Sequence, residues 1–184
     1  MKWMTIREGE PMKWVAFLLV AVATIAGVLA FKVPAAGLAG EKAGPGSAIG
    51  IPAGYRDWKL ISVAHEAGDL NDIRAVLGND LAIEAYRERK LPFPDGTIIA
   101  RLAWGYIPSE ENNKVFGRDQ SFVAGSPTNV QFMIKDSKKY ATTGGWGFAQ
   151  FTGGKPVNEA VGTACFSCHG PAKAHDFVFT QYAP

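Results

Sequence analysis

The chain has 184 residues and two cysteines, and both cysteines lie in one stretch near its end, Thr163-Ala-Cys165-Phe-Ser-Cys168-His169. This C-x-x-C-H run constrains the fold more than any other feature, because everything before it must build a site around it. A structural zinc site needs about four ligands, ordinarily a second C-x-x-C half or two further histidines. Beyond His169 the chain offers only His65 and His175, and a histidine directly beside Cys168 is poorly spaced for a tetrahedron. A thioredoxin-like thiol pair belongs at a helix N-terminus early in a βαβ unit, whereas this pair follows no such unit. A disulfide between residues three apart would be strained and would close too small a loop to stabilise much. Covalent haem attachment accounts for the whole motif. Each cysteine adds its sulfur to one vinyl group, the two intervening residues set the reach, and the adjacent histidine is placed beneath the iron. The expected cofactor is one haem c, held by Cys165 and Cys168, with His169 as the metal ligand.

An electron-transfer cytochrome fills the sixth iron position with Met or His. The fifteen residues after His169 contain no Met. Met133 is the one Met of the expected domain, and core filling is its simpler role. His65 and His175 are the other candidates, each more simply read as a hydrogen-bonding residue. The balance favours a haem with one open face, able to bind a small ligand.

Residues 14–31 carry no charge, with Lys2, Arg7 and Lys13 before them and Lys32 after. A signal peptide with a short apolar region and a cleavage site in the Ala/Gly-rich residues 35–40 is one reading. An uncleaved membrane anchor is the other, and it is preferred because the run reaches the lower limit of about 17 residues for a span. Either way the basic N-terminus stays in the cytoplasm, so the remainder is expected on the periplasmic side, where bacterial haem c attachment takes place. Residues 33–54, rich in Gly, Ala and Pro, read as a flexible linker. The expected division is therefore 1–32 anchor or signal, 33–54 linker, and 55–184 haem-binding domain.

A net charge of +2, with scattered Lys and Arg, argues against a nucleic-acid partner. Within the domain, residues 58–65, 97–107, 129–136 and 145–152 read as strands. Residues 72–79 are ambiguous by period. Residues 80–90 read as a helix capped by Asp80 and stopped by Pro92 and Pro94. Residues 136–141 suggest a short helix, and 158–169 start helically and deliver the cysteines. The expected class is α+β: a mainly antiparallel sheet with a few flanking helices, plus one N-terminal hydrophobic helix. The glycines of 145–152 suggest close approach of backbone or ligand.

From Tyr55 to His169 the order of features resembles the cytochrome P-460 family. It runs GYRDWKLISV, NDIRAVLGND, FPDGTIIARL, FMIKDSKKY, GGWGFAQF and a C-terminal CFSCH. The resemblance implies a small sheet-based haem protein, usually a homodimer, related to cytochrome c′-β. Members either oxidise hydroxylamine or bind nitric oxide in an apolar distal pocket. It places Cys165, Cys168 and His169 at the attachment and ligand positions. Hydroxylamine-oxidising members carry a lysine cross-linked to the haem ring, and Arg101 stands at that position. Arginine is always protonated and a poor nucleophile, so Arg101 is expected to pair with a haem propionate instead. At the position of the family's proton-relay carboxylate stands Ala160, with Glu159 adjacent. The distal wall is expected from the sheet, with Phe93, Phe132, Trp146 and Phe148 as candidates; His65 or Arg74 would make it polar if they point inward. Three functions stand as expectations: a periplasm-facing mono-haem cytochrome binding NO or a similar ligand, a hydroxylamine or NO oxidoreductase, and a membrane-tethered electron carrier. A redox partner protein is expected alongside the homodimer.

Overall fold

A computed structural model describes residues 49–157 and 161–183. The apolar run 14–31, most of the linker, and Glu159 and Ala160 lie outside the described residues, so the expected N-terminal helix does too. No helix among the described residues is long and apolar enough to cross a membrane.

Among the described residues the core is one antiparallel sheet of six strands in sequence order: β1 Lys59–Glu66, β2 Asp72–Gly78, β3 Ile98–Pro108, β4 Phe122–Lys135, β5 Trp146–Thr152 and β6 Lys155–Pro156. The ambiguous segment 72–79 is thus a strand. Three α-helices among the described residues accompany the sheet: α1 Asp80–Arg87, α2 Glu110–Phe116 and α3 Val161–His169. Four of these strands and α1 follow the periodicity, although β4 begins at Phe122, well before the expected 129–136. α2 was not expected; Ser109 caps it, and the buried Asn113 side chain holds the next loop by accepting from the Gln120 and Ser121 amides.

The cap of α1 is Asn79 rather than Asp80. Asn79 Oδ1 accepts from the Ala82 amide and from the Ile98 amide of β3, so one side chain caps the helix and ties it to the sheet. Asp80 instead forms an exposed pair with Lys59. The helix stops at Arg87, ahead of the prolines, because Arg89 turns left-handed with φ 53°. Residues 137–140 form turns, and the short 3-10 segment comes just after them, at Ala141–Thr143. Close approach at Gly147 is real but involves Tyr140, whose ring would lie 2.4 Å from an added Cβ.

Side chains alternate across a strand, so the register sorts the sheet into two faces. On one face Leu77, Ala100, Leu102, Phe132 and Phe151 form a buried cluster under Tyr55 and Trp58. The other face changes character along its strands. At one end Val76, Ile99 and Trp146 pack with Ile83 of α1 and Val178 of the C-terminal segment. At the other end the same face carries Arg74, Arg101, Gln131 and Gln150, the last three directly opposite one another across neighbouring strands.

Candidate functional site

α3 brings the motif to the border between these two ends. Residues three and four apart share a helix face, so Cys165 lies beside both Cys168 and His169. Phe166 anchors the helix, its ring 6.4 Å from that of Phe148 on β5 and 5.4 Å from that of Phe177. The His169 ring sits between Phe148 and Phe179, 5.1 Å from each. Its Nδ1 is 2.7 Å from the Phe177 carbonyl oxygen. A carbonyl can only accept, so Nδ1 carries the proton and donates, which leaves the Nε2 lone pair free for a metal.

A cavity of about 500 Å³ opens between α3, the C-terminal segment and the polar end of the sheet face. Cys165, His169 and Phe148 line one side; Arg101, Gln131 and Gln150 come from the strands. Both cysteines are free thiols, Cys165 half-buried and Cys168 exposed. Burial and the neighbouring Cys168 raise the Cys165 pKa, while Arg101 works against them.

Arg101 joins a chain of buried charge. It donates to Asn129 Oδ1 at 2.8 Å and to Asp72 Oδ2. Arg74 donates twice to Asp72 Oδ1, at 2.6 and 2.9 Å, and reaches Glu66 at 3.3 Å. Asp72 is 3% exposed and is therefore shared between two guanidinium groups. Burial lowers the Arg101 pKa, nearby Arg74 adds to this, and Asp72 opposes it. Arg101 Nε is buried and has no partner among the described residues. Such an orphan donor in a cavity wall is where an anionic group of a ligand would be welcome.

The four aromatic candidates separate. Phe148 lines the cavity. Phe132 borders it from its strand, but its ring turns to the opposite face, edge-on to Tyr55 and Phe151, as strand alternation requires. Phe93 and Trp146 pack edge-on at the apolar end, 5.8 Å apart, in the core instead of the cavity wall. Met133 borders the cavity; His175 lines a separate one; His65 stacks on Tyr106 at 3.8 Å, away from both. Arg74 does point inward. Sequence reasoning did not single out Asp72, Glu66, Asn129, Gln131 or Gln150. The signal for several of them was present: polar residues at every second position of otherwise apolar strands.

Among the described residues no three His, Cys, Asp or Glu side chains converge on a metal-sized point, so a zinc ligand set is not assembled. The site fits haem instead: two thiols and an imidazole on one helix, a tautomer that frees Nε2, a cavity of ligand size, and an unsatisfied cationic donor in its wall. A sheet-based domain carrying C-x-x-C-H on its last helix defines a cytochrome of the β-rich class, distinct from the helical cytochromes. The family model for cytochrome P460 matches residues 52–180, and the chain belongs to that family. Membership implies a haem cofactor and its iron. No curated relative matches the chain at a significant level.

Proposed function

We propose that this protein is a periplasm-facing, membrane-tethered mono-haem c cytochrome whose iron keeps one face open for nitric oxide or a similar small ligand. Cys165 and Cys168 would hold the haem by thioether bonds, and His169 Nε2 would ligate the iron. When bound there, the haem would supply a coordination position for a small ligand and a one-electron couple. Arg101, with its unpartnered Nε, would bind a propionate or another anionic group in the cavity wall. Homodimer formation and docking with a redox partner belong to the same reading.

The observation that carries it is His169. Its Nδ1 is committed to the Phe177 carbonyl, in a cavity whose only thioether among the described residues is Met133. Met133 also packs against the apolar core, which suits filling better than ligation. The test is the absorption spectrum of the ferrous protein with and without NO. A five-coordinate spectrum that changes on adding NO is expected, and replacing Met133 by Leu should leave it unaltered. A stable His/Met or bis-His spectrum that resists NO overturns the proposal.

A second reading is oxidation of hydroxylamine or NO. It is favoured by Glu66, a half-exposed carboxylate that lines the cavity together with Arg74 and Arg101. Such a carboxylate can take up the protons that an oxidation releases. Steady turnover of hydroxylamine with an electron acceptor, lost in Glu66→Gln, would select this reading; absence of turnover removes it.

A further inference from the structure

Two consecutive non-glycine residues after α3 are left-handed, Asp176 with φ 51° and Phe177 with φ 65°. L-residues hold this conformation only when their surroundings over-determine it. Here the surroundings do so. Lys135 Nζ lies 2.8 Å from both carboxylate oxygens of Asp176, in a pair whose side chains are 6% and 9% exposed. The same ammonium donates to the Gly144 carbonyl at 3.1 Å and stands 5.0 Å from the Trp146 ring. Asp176 Oδ2 accepts from the Phe93 amide at 2.9 Å, and the Asp176 carbonyl accepts from Trp146 Nε1 at 2.7 Å. The Phe177 ring fills the space beside Gly144, where an added Cβ would lie 2.2 Å away. One peptide further on, the Phe177 carbonyl accepts from His169 Nδ1.

We infer that the buried Lys135–Asp176 pair is a positioning device for His169. By fixing the left-handed turn it aims the Phe177 carbonyl at Nδ1, and so sets the basicity of the imidazole and the reduction potential of the iron it ligates. Neither residue lines the cavity, and neither touches His169 in the hydrogen-bond network. The inference rests on His169 being the iron ligand, as proposed above. Stability alone is a weak reason for such a pair, since a buried ion pair can often be replaced by apolar residues without loss. The device has a different use. An acceptor on the non-ligating nitrogen fixes the tautomer and raises ligand basicity, and a more basic ligand favours the ferric state.

The test uses the haem-loaded full chain and two readouts, the midpoint potential and the Fe–His stretching frequency of the ferrous protein. Asp176→Asn keeps the shape of the side chain and removes its charge; Lys135→Met removes the partner. Both should raise the potential by about tenfold in the ferric/ferrous ratio, about 59 mV for a one-electron couple, and lower the Fe–His frequency. Lys135→Arg should restore both towards the parent. Ile83→Ala, which destabilises the same apolar cluster and removes none of the side-chain hydrogen bonds of the turn, should move neither. Unchanged potential and frequency in Asp176→Asn, or an equal shift in Ile83→Ala, overturns the inference. His169→Ala separates it from its premise: if that variant keeps the parent's Fe–His mode, His169 is not the ligand and the device has nothing to position.

Discussion

The two ends of one sheet face do opposite things with the same strands. On β5, Trp146 is wholly buried at one end, while Gln150, four residues on, lines the cavity at the other. On β3 the change falls between Ile99, in the apolar cluster, and Arg101. On β4 it falls between Met133 and Gln131, and on β2 between Val76 and Arg74. The border crosses four neighbouring strands at nearly the same level. The apolar end is closed by α1 and the C-terminal segment, and the polar end is left for a ligand. Because α3 docks at the border, His169 is backed by a rigid core and faces a cavity with polar walls. A sheet can thus hold rigidity and reactivity on one surface, provided the alternation is changed in step on adjacent strands.

The largest expected effect tests the closed end. Trp146→Ala removes a fully buried ring, a hydrogen bond to the Asp176 carbonyl and the aromatic surface beneath Lys135. It should cost about 3–5 kcal/mol, as large aromatic truncations in cores do. Gln150→Ala, on the same strand and face, loses one partly buried hydrogen bond from Gln131, worth about 0.5–1.5 kcal/mol. Urea unfolding of the two variants measures the contrast. Equal losses would mean that the face is energetically uniform and the border is only compositional.

Much of the closed end was legible in the sequence, and the reasons are local. Strand alternation located β1, β3 and β5 to within a residue or two, and the helical pattern located α1. The attachment motif was readable because its spacing is a chemical requirement, independent of fold. The aromatic candidates for the cavity wall were harder. Phe132, Phe93 and Trp146 are equally aromatic, but which face or end each occupies depends on register across five strands. Asp72 illustrates the same limit. Nothing within its own segment says that Arg74 and Arg101 will meet on it, because Arg101 lies one strand away, opposite Val76. The left-handed turn at Asp176 is likewise set by Lys135, 41 residues earlier.

A middle-sized effect tests the open end. Asp72→Asn leaves two guanidinium groups with one neutral partner between them. The expected cost is about 1–3 kcal/mol, the range for a buried group losing its partner. It should also loosen Arg101, whose only other side-chain acceptor among the described residues is Asn129. Anionic ligands should then bind the cavity more tightly, since Asp72 no longer competes for Arg101. Stability by urea unfolding, together with small-anion titration of the ferric spectrum, reads both consequences. Weaker anion binding in this variant would show that Asp72 serves to hold Arg101 in place and does not compete for it.

The smallest effect concerns the joint between the two ends. Tyr86 on α1 donates to the Thr180 carbonyl at 3.0 Å, and Thr180 belongs to the segment that walls the cavity. Burial pushes the Tyr86 hydroxyl above its ordinary pKa of 10.0. In the unfolded chain Tyr86 ionises near about pH 10, where the folded chain still keeps the proton. The unfolded state then binds fewer protons, so stability falls as pH rises. The contribution is complete below the ordinary value and is lost above it, by at most about 1.4 kcal/mol per pH unit. Tyr86→Phe should cost about 0.5–1.5 kcal/mol at neutral pH through the lost hydrogen bond. Above roughly pH 10 the parent should lose stability faster than the variant, so that their urea midpoints converge. If the midpoints instead fall in parallel, ionisation at the joint does not set the alkaline limit, and α1 does not couple the closed end to the cavity wall through Tyr86.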